Sequence, residues 1–129
     1  MIAIDTNILI RLLTRDDPKQ YSVSRKLFEK EEIFIPDTVI LETEWVLRFA
    51  YDYSSAEICA SLKKLFGLPN VTLTNDLIVS QAITWYESGL DFADAFHLAL
   101  SQELPALKTV DTKFIKRSKN ISKCLVEKP

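Results

Sequence analysis

Four acidic residues occupy apolar settings in this sequence. They are Asp5 in Met1-Ile-Ala-Ile-Asp5-Thr6-Asn7, Glu42 in Val39-Ile-Leu-Glu42-Thr-Glu-Trp-Val-Leu47, Asp94 in Asp91-Phe-Ala-Asp94-Ala-Phe-His97, and Asp111 in Lys108-Thr-Val-Asp111-Thr-Lys-Phe114. A carboxylate costs free energy to take out of water, so several in such frames point to a shared cation. Two like charges about 4 Å apart repel by roughly 1 kcal/mol in water and about 4 kcal/mol at an effective dielectric of about 20. Four converging carboxylates therefore need protons or a counter-ion. Ligands that are all oxygen select a hard ion, Mg²⁺ or Mn²⁺, over zinc. Such an ion neutralises phosphate charge and acidifies bound water, which a carboxylate can orient; phosphodiester hydrolysis is the chemistry these parts serve most directly.

Each acid also has a plainer use. Asp5 closes the first expected strand and Asp111 the fourth, where ligands gather in open α/β sheets, yet either can cap the helix that follows. Glu42 lies in the second turn of its helix, past the capping-box position held by Ile40, among Val39, Leu41, Trp45, Val46 and Leu47. A solvated role fits it poorly. Glu44 has Arg48 four residues on and reads as a surface ion pair. Asp91 reads as a helix cap with Asp94 at the third helical position, but Asp94 stands between Ala93 and Ala95, where a backbone can come close. His97 reads as a buried or supporting histidine, not a ligand. Trp45 reads as core, while the group Trp45, Phe49, Tyr51 and Tyr53 offers an aromatic anchor for a partner.

The elements that must position these acids alternate. Short apolar strands are expected over 1–4, 33–35, 71–73, 107–110 and 123–127. Helices are expected over 6–13, 18–31, 38–50, 55–66, 76–88 and 92–102, with a helical turn over 112–116. Asp17-Pro18 is a cap with proline at the first helical position, and Gln20 stands where a capping-box partner would. Ser54 and Glu57 form a second capping box, and Asn75 and Asp91 cap later helices. This alternation predicts an α/β domain with a mainly parallel sheet.

Composition narrows the function classes. At 129 residues and 47% apolar content the chain suits one domain, 1–129, with a compact core. It has no run of about 18 uncharged apolar residues, so no membrane role is expected, and its opening lacks a secretory pattern. A cytoplasmic protein is the reading, with Cys59 and Cys124 as small buried hydrophobes. Only Gly67 and Gly89 exist, which excludes a glycine-rich phosphate loop. His97 is the single histidine, which excludes multi-histidine zinc sites. The formal net charge of −2 argues against wrapping nucleic acid with the whole surface, but setting aside the four candidate acids leaves +2. Bases cluster at Arg11, Arg15, Lys19, Arg25, Lys26 and Lys30, and again at Lys108, Lys113, Lys116, Arg117, Lys119 and Lys123. They read either as solvated faces or as guides for a nucleic-acid backbone.

On the four acidic segments, in this order and over essentially the whole chain, the sequence resembles the PIN-domain nucleases, and within them the bacterial VapC-like toxin branch. The resemblance implies a PIN-like three-layer sandwich in which helices cover a mainly parallel sheet of about five strands. It implies that Asp5, Glu42, Asp94 and Asp111 are metal-binding carboxylates for Mg²⁺ or Mn²⁺, with Thr6 and Asn7 positioning Asp5 or water. Asp91 falls at a position that varies across the family and ranks as supporting. An RNA substrate, homodimerisation and inhibition by a cognate antitoxin are further implications, and the expected activity is that of a metal-dependent endoribonuclease, the toxin of a type II toxin–antitoxin pair. Two other readings stand beside it: a non-catalytic PIN scaffold for RNA or protein, and a metal-dependent nuclease or phosphatase acting on DNA or a small phosphate ester.

Overall fold

The structure is a computed structural model that describes residues 1–129, and the chain falls into two compact units, Met1–Thr74 and Asn75–Pro129. The first contains β1 (Ile2–Ala3), α1 (Thr6–Thr14), α2 (Pro18–Lys30), β2 (Ile33–Ile35), α3 (Asp37–Ala50), α4 (Ser55–Phe66) and β3 (Val71–Leu73). The β2 strand is central and runs parallel to both neighbours, pairing Ile33 with Ile2 on one side and with Val71 on the other. Its two isoleucines, Ile33 and Ile35, are fully buried, while Phe34 between them is half-buried, the alternation a strand imposes. Leu9, Ile40, Leu47, Ile58 and Leu62 complete this core from the helices.

Helix ends follow their caps. Asp17 accepts from the Lys19 and Gln20 amides at 3.1 Å, with Pro18 at the first helical position. Gln20 does not close the expected capping box. Its Oε1 accepts instead from Arg11 Nε at 2.6 Å, a charged donor that outcompetes a backbone amide. Arg11 also donates to Asp16 at 2.9 Å, and Asp16 accepts the Tyr51 hydroxyl at 2.6 Å, so one network joins the ends of α1, α2 and α3. At α4 the Ser54–Glu57 capping box forms in full, with bonds of 3.1 and 3.0 Å.

The second unit contains α5 (Asp76–Glu87), α6 (Phe92–Ser101), β4 (Ala106–Lys108), α7 (Thr112–Arg117) and β5 (Leu125–Glu127), with β4 and β5 parallel. Gly89 takes φ 117, a backbone state that suits glycine, and turns α5 into α6. The two helices pack through Tyr86, Phe92 and Phe96, whose rings stack successively at 5.0 and 5.8 Å. The fourth strand stops at Lys108 rather than residue 110 because Thr109 Oγ1 accepts the Asp111 amide at 3.0 Å and turns the chain. The fifth begins at Leu125 rather than residue 123, after a local turn in which Ser122 Oγ accepts the Cys124 amide. All five strands thus pair in parallel as expected, but they divide into sheets of three and two. Strands of two or three residues, against a usual five or six, make only short ladders. Cys59 and Cys124 are buried free thiols, as the sequence suggested. No helix is long and apolar enough to cross a membrane.

Candidate functional site

In the first unit the parallel register sets where acids emerge. Ala3 pairs with Phe34 and the Ile4 amide donates to Phe34 O, so Asp5 and Asp37 both leave the carboxyl ends of adjacent strands. Asp5 is exposed and extended (φ −98, ψ 179), and its Oδ1 accepts the Ile8 amide at 3.3 Å. It is therefore a helix cap, with its second oxygen left for another use. Thr6 is buried and Asn7 exposed. Asp37 opens α3, and its Oδ1 is buried without a hydrogen-bond partner; burial raises the carboxyl's proton affinity. Its position straight after β2 is the sequence signal that could have found it.

On α3 the two glutamates exchange places relative to expectation. The buried face is Ile40, Thr43, Glu44 and Leu47, an i, i+3, i+4, i+7 stripe, so Glu44 points inward and Glu42 is exposed. Glu44, only 2% exposed, is gripped by Arg48 through Nε at 2.8 Å and Nη2 at 3.2 Å. The pair with Arg48 forms as expected, but not at the surface. Trp45, read as core, is 57% exposed and stacks with exposed Phe49 at 5.0 Å on the same face as Glu42. No hydrogen bond joins Asp5 to Glu42.

The second unit brings three acids together. A cavity of about 340 Å³ is lined by Leu90, Asp91, Asp94, Asp111, Lys113, Phe114 and Arg117. Asp91 caps α6 by accepting the Asp94 amide at 3.2 Å. Asp111 caps α7 by accepting the Lys113 and Phe114 amides at 2.9 and 3.2 Å. All three bonds are accepted by Oδ1. Asp94 is half-buried, and burial first, then the charges of Asp91 and Asp111, push its carboxyl above its ordinary range; His97 and Arg117 pull it back. His97 itself is exposed rather than buried, on the outer side of an α6 whose inward face is Phe92, Ala95, Phe96 and Ala99.

The acids lining the cavity offer only carboxylate oxygens, the ligand type a hard divalent cation takes. No three His, Cys, Asp or Glu side chains converge on one point, consistent with mutual repulsion and with two of the three acids committed to caps. Lys113 and Arg117 add two cations to the cavity wall, suited to an anionic substrate.

Parallel strands alternating with helices, together with a carboxylate-lined cavity, define an α/β protein with an acidic candidate site. More particularly, a family model for the PIN domain matches residues 2–120, and the chain belongs to the PIN-domain family. PIN domains are nucleases that generally use divalent metal ions. Among solved structures the chain is similar to VapC20 of Mycobacterium tuberculosis, described as a sarcin-ricin loop cleaving toxin. The identity is 19%, with 88% of this chain and 92% of that chain covered at a TM-score of 0.44. No curated protein sequence matches the chain.

Proposed function

We propose that the protein is a Mg²⁺- or Mn²⁺-dependent endoribonuclease and the toxin of a type II toxin–antitoxin pair. The observation that carries this reading is the cavity of Asp91, Asp94 and Asp111 in a PIN domain. Asp94 and Asp111, supported by Asp91, would hold the ion, which when bound neutralises phosphate charge and acidifies water. Asp5 and Glu42, with Thr6 and Asn7 beside Asp5, are assigned to the same reaction on the family resemblance. Lys113 and Arg117 bind the phosphate's oxygens, and Leu90 and Phe114 keep bulk water from the reacting centre. A carboxylate of this cavity would orient the attacking water and take its proton.

The match over 2–120 spans both compact units and supports treating them as one PIN domain. A cognate antitoxin, a homodimer and a cytoplasmic setting belong to the same reading. The exposed Trp45–Phe49 pair supports a protein partner on α3.

The test is cleavage of structured and unstructured RNA by purified protein with Mg²⁺, Mn²⁺ or EDTA, single-stranded DNA serving as the comparison. Metal-dependent RNA cutting that Asp94→Asn lacks, with its circular dichroism unchanged, is the expected outcome. Normal cutting by the folded variant would remove Asp94 from the site, and preferential cutting of DNA would move the substrate class.

A further inference from the structure

A second cavity of the same unit lies on the other side of α7. It measures about 330 Å³ and is lined by Thr112, Ile115, Lys116, Lys119, Glu127 and Lys128. The only acid among these is Glu127, and Lys108 already neutralises it with a contact of 3.1 Å between Nζ and Oε1. Lys116, Lys119 and Lys128 are exposed and have no ion-pair partner. They line the cleft with Ile115, and long basic side chains favour an apolar stem contact with the charged head in water. The charge of its lining is net positive, which favours an anion.

We propose that the cleft is a phosphodiester-anchoring site for single-stranded RNA, with Lys116, Lys119 and Lys128 holding backbone phosphates next to the one being cut. The proposal rests on the nuclease reading, and α7 is what connects the cleft to the acidic cavity. The helix is a wall shared by two cavities: Lys113, Phe114 and Arg117 face the acidic one, and Thr112, Ile115 and Lys116 the basic one. A helix is about 10 Å across, a step a flexible strand with a charge on every nucleotide spans easily. A strand held at the acidic cavity therefore presents its next phosphates to the lysines. An acidic peptide has the charge for the lysines but no part in the reaction assigned to the acidic cavity.

The experiment follows binding of a fluorescein-labelled single-stranded RNA by anisotropy, in EDTA so that the strand stays intact, over a series of salt concentrations. Each single-strand phosphate contact contributes about 0.7 to the slope of log K against log salt. The variant Lys116→Gln/Lys119→Gln/Lys128→Gln should lower that slope by about 2, with unfolding unchanged. Substituting the same three positions by arginine should restore it, which separates lost charge from misfolding. Lys26→Gln/Lys30→Gln on α2 should leave the slope as it was. An unchanged slope in the triple variant, an equal loss in the α2 control, no RNA binding by the parent protein, or displacement of RNA by oligoglutamate at equal charge would each overturn the proposal. Parallel cleavage assays with Mg²⁺ keep the two readings apart. Cutting with an unchanged slope leaves the nuclease and removes the cleft; a reduced slope without cutting leaves the cleft and removes the nuclease.

Discussion

Asp37 is the residue whose environment fits its charge least well. One oxygen is buried and unpartnered, and burial raises the carboxyl's proton affinity. A folded-state value above the unfolded one means that stability is fully present below the unfolded value and is lost as pH rises through the folded one. Asp37→Asn should therefore stabilise the protein at neutral pH, by about 1 kcal/mol if the desolvated oxygen is the whole cost, and the gain should vanish in acid; melting curves across pH check this. Asp16 behaves in the opposite sense. The Tyr51 hydroxyl first, with Arg11 and Thr14, lowers it from 3.8 to about 2. Its contribution is present above the ordinary value and lost as pH falls toward about 2. Tyr51→Phe should move acid unfolding to higher pH, followed by circular dichroism during an acid titration. Neither carboxylate stood out in the sequence as chemically special, since Asp16 and Asp37 each look like ordinary loop acids beside a helix start. What distinguishes them is a partner thirty-five residues away in one case and a missing partner in the other.

The helix ends were legible because their signals are local. Ser54 and Glu57 lie three apart, the spacing at which each side chain reaches the other's backbone, and the box forms as read. Ser54→Ala should cost about 1 kcal/mol and lower the thermal midpoint by a few degrees, measurable by calorimetry. The β2 and β3 strands also fall where expected, bounded by Pro36 on one side and by Asn70 on the other. The orientation of α3 was harder to read. Its sequence is apolar on nearly every side, so judging Glu42 and Glu44 by their immediate neighbours gave the reverse of their burial. The phase of Ile40, Thr43, Glu44 and Leu47 was the better guide, because a helix buries a stripe and not a segment. Asp91, Asp94 and Asp111 line one cavity, of which the sequence singled out Asp94 and Asp111 and ranked Asp91 below them. Two are caps of helices that open onto one cavity, so the cap reading and the ligand reading describe the same carboxylates.

For the molecule as a whole, occupancy of an acidic cavity should appear as stability. A cation that binds only the folded chain adds about 2.7 kcal/mol at about a hundred times its dissociation constant. Mg²⁺ or Mn²⁺ should raise the thermal midpoint relative to EDTA, and Asp94→Asn should remove most of that rise; scanning fluorimetry of both proteins decides it. The family and the alternation of strands and helices were visible from the sequence alone. The division of the strands into sheets of three and two was not, because sequence periodicity reports a strand's faces and not its neighbours. The two buried thiols give that division a clock. Cys59 lies in Met1–Thr74 and Cys124 in Asn75–Pro129, each closed to solvent and unbridged. An alkylating reagent can reach either only when its own half opens, so the two labelling rates time the halves separately. Equal rates mean that the chain opens as one cooperative body; unequal rates name the half that gives way first.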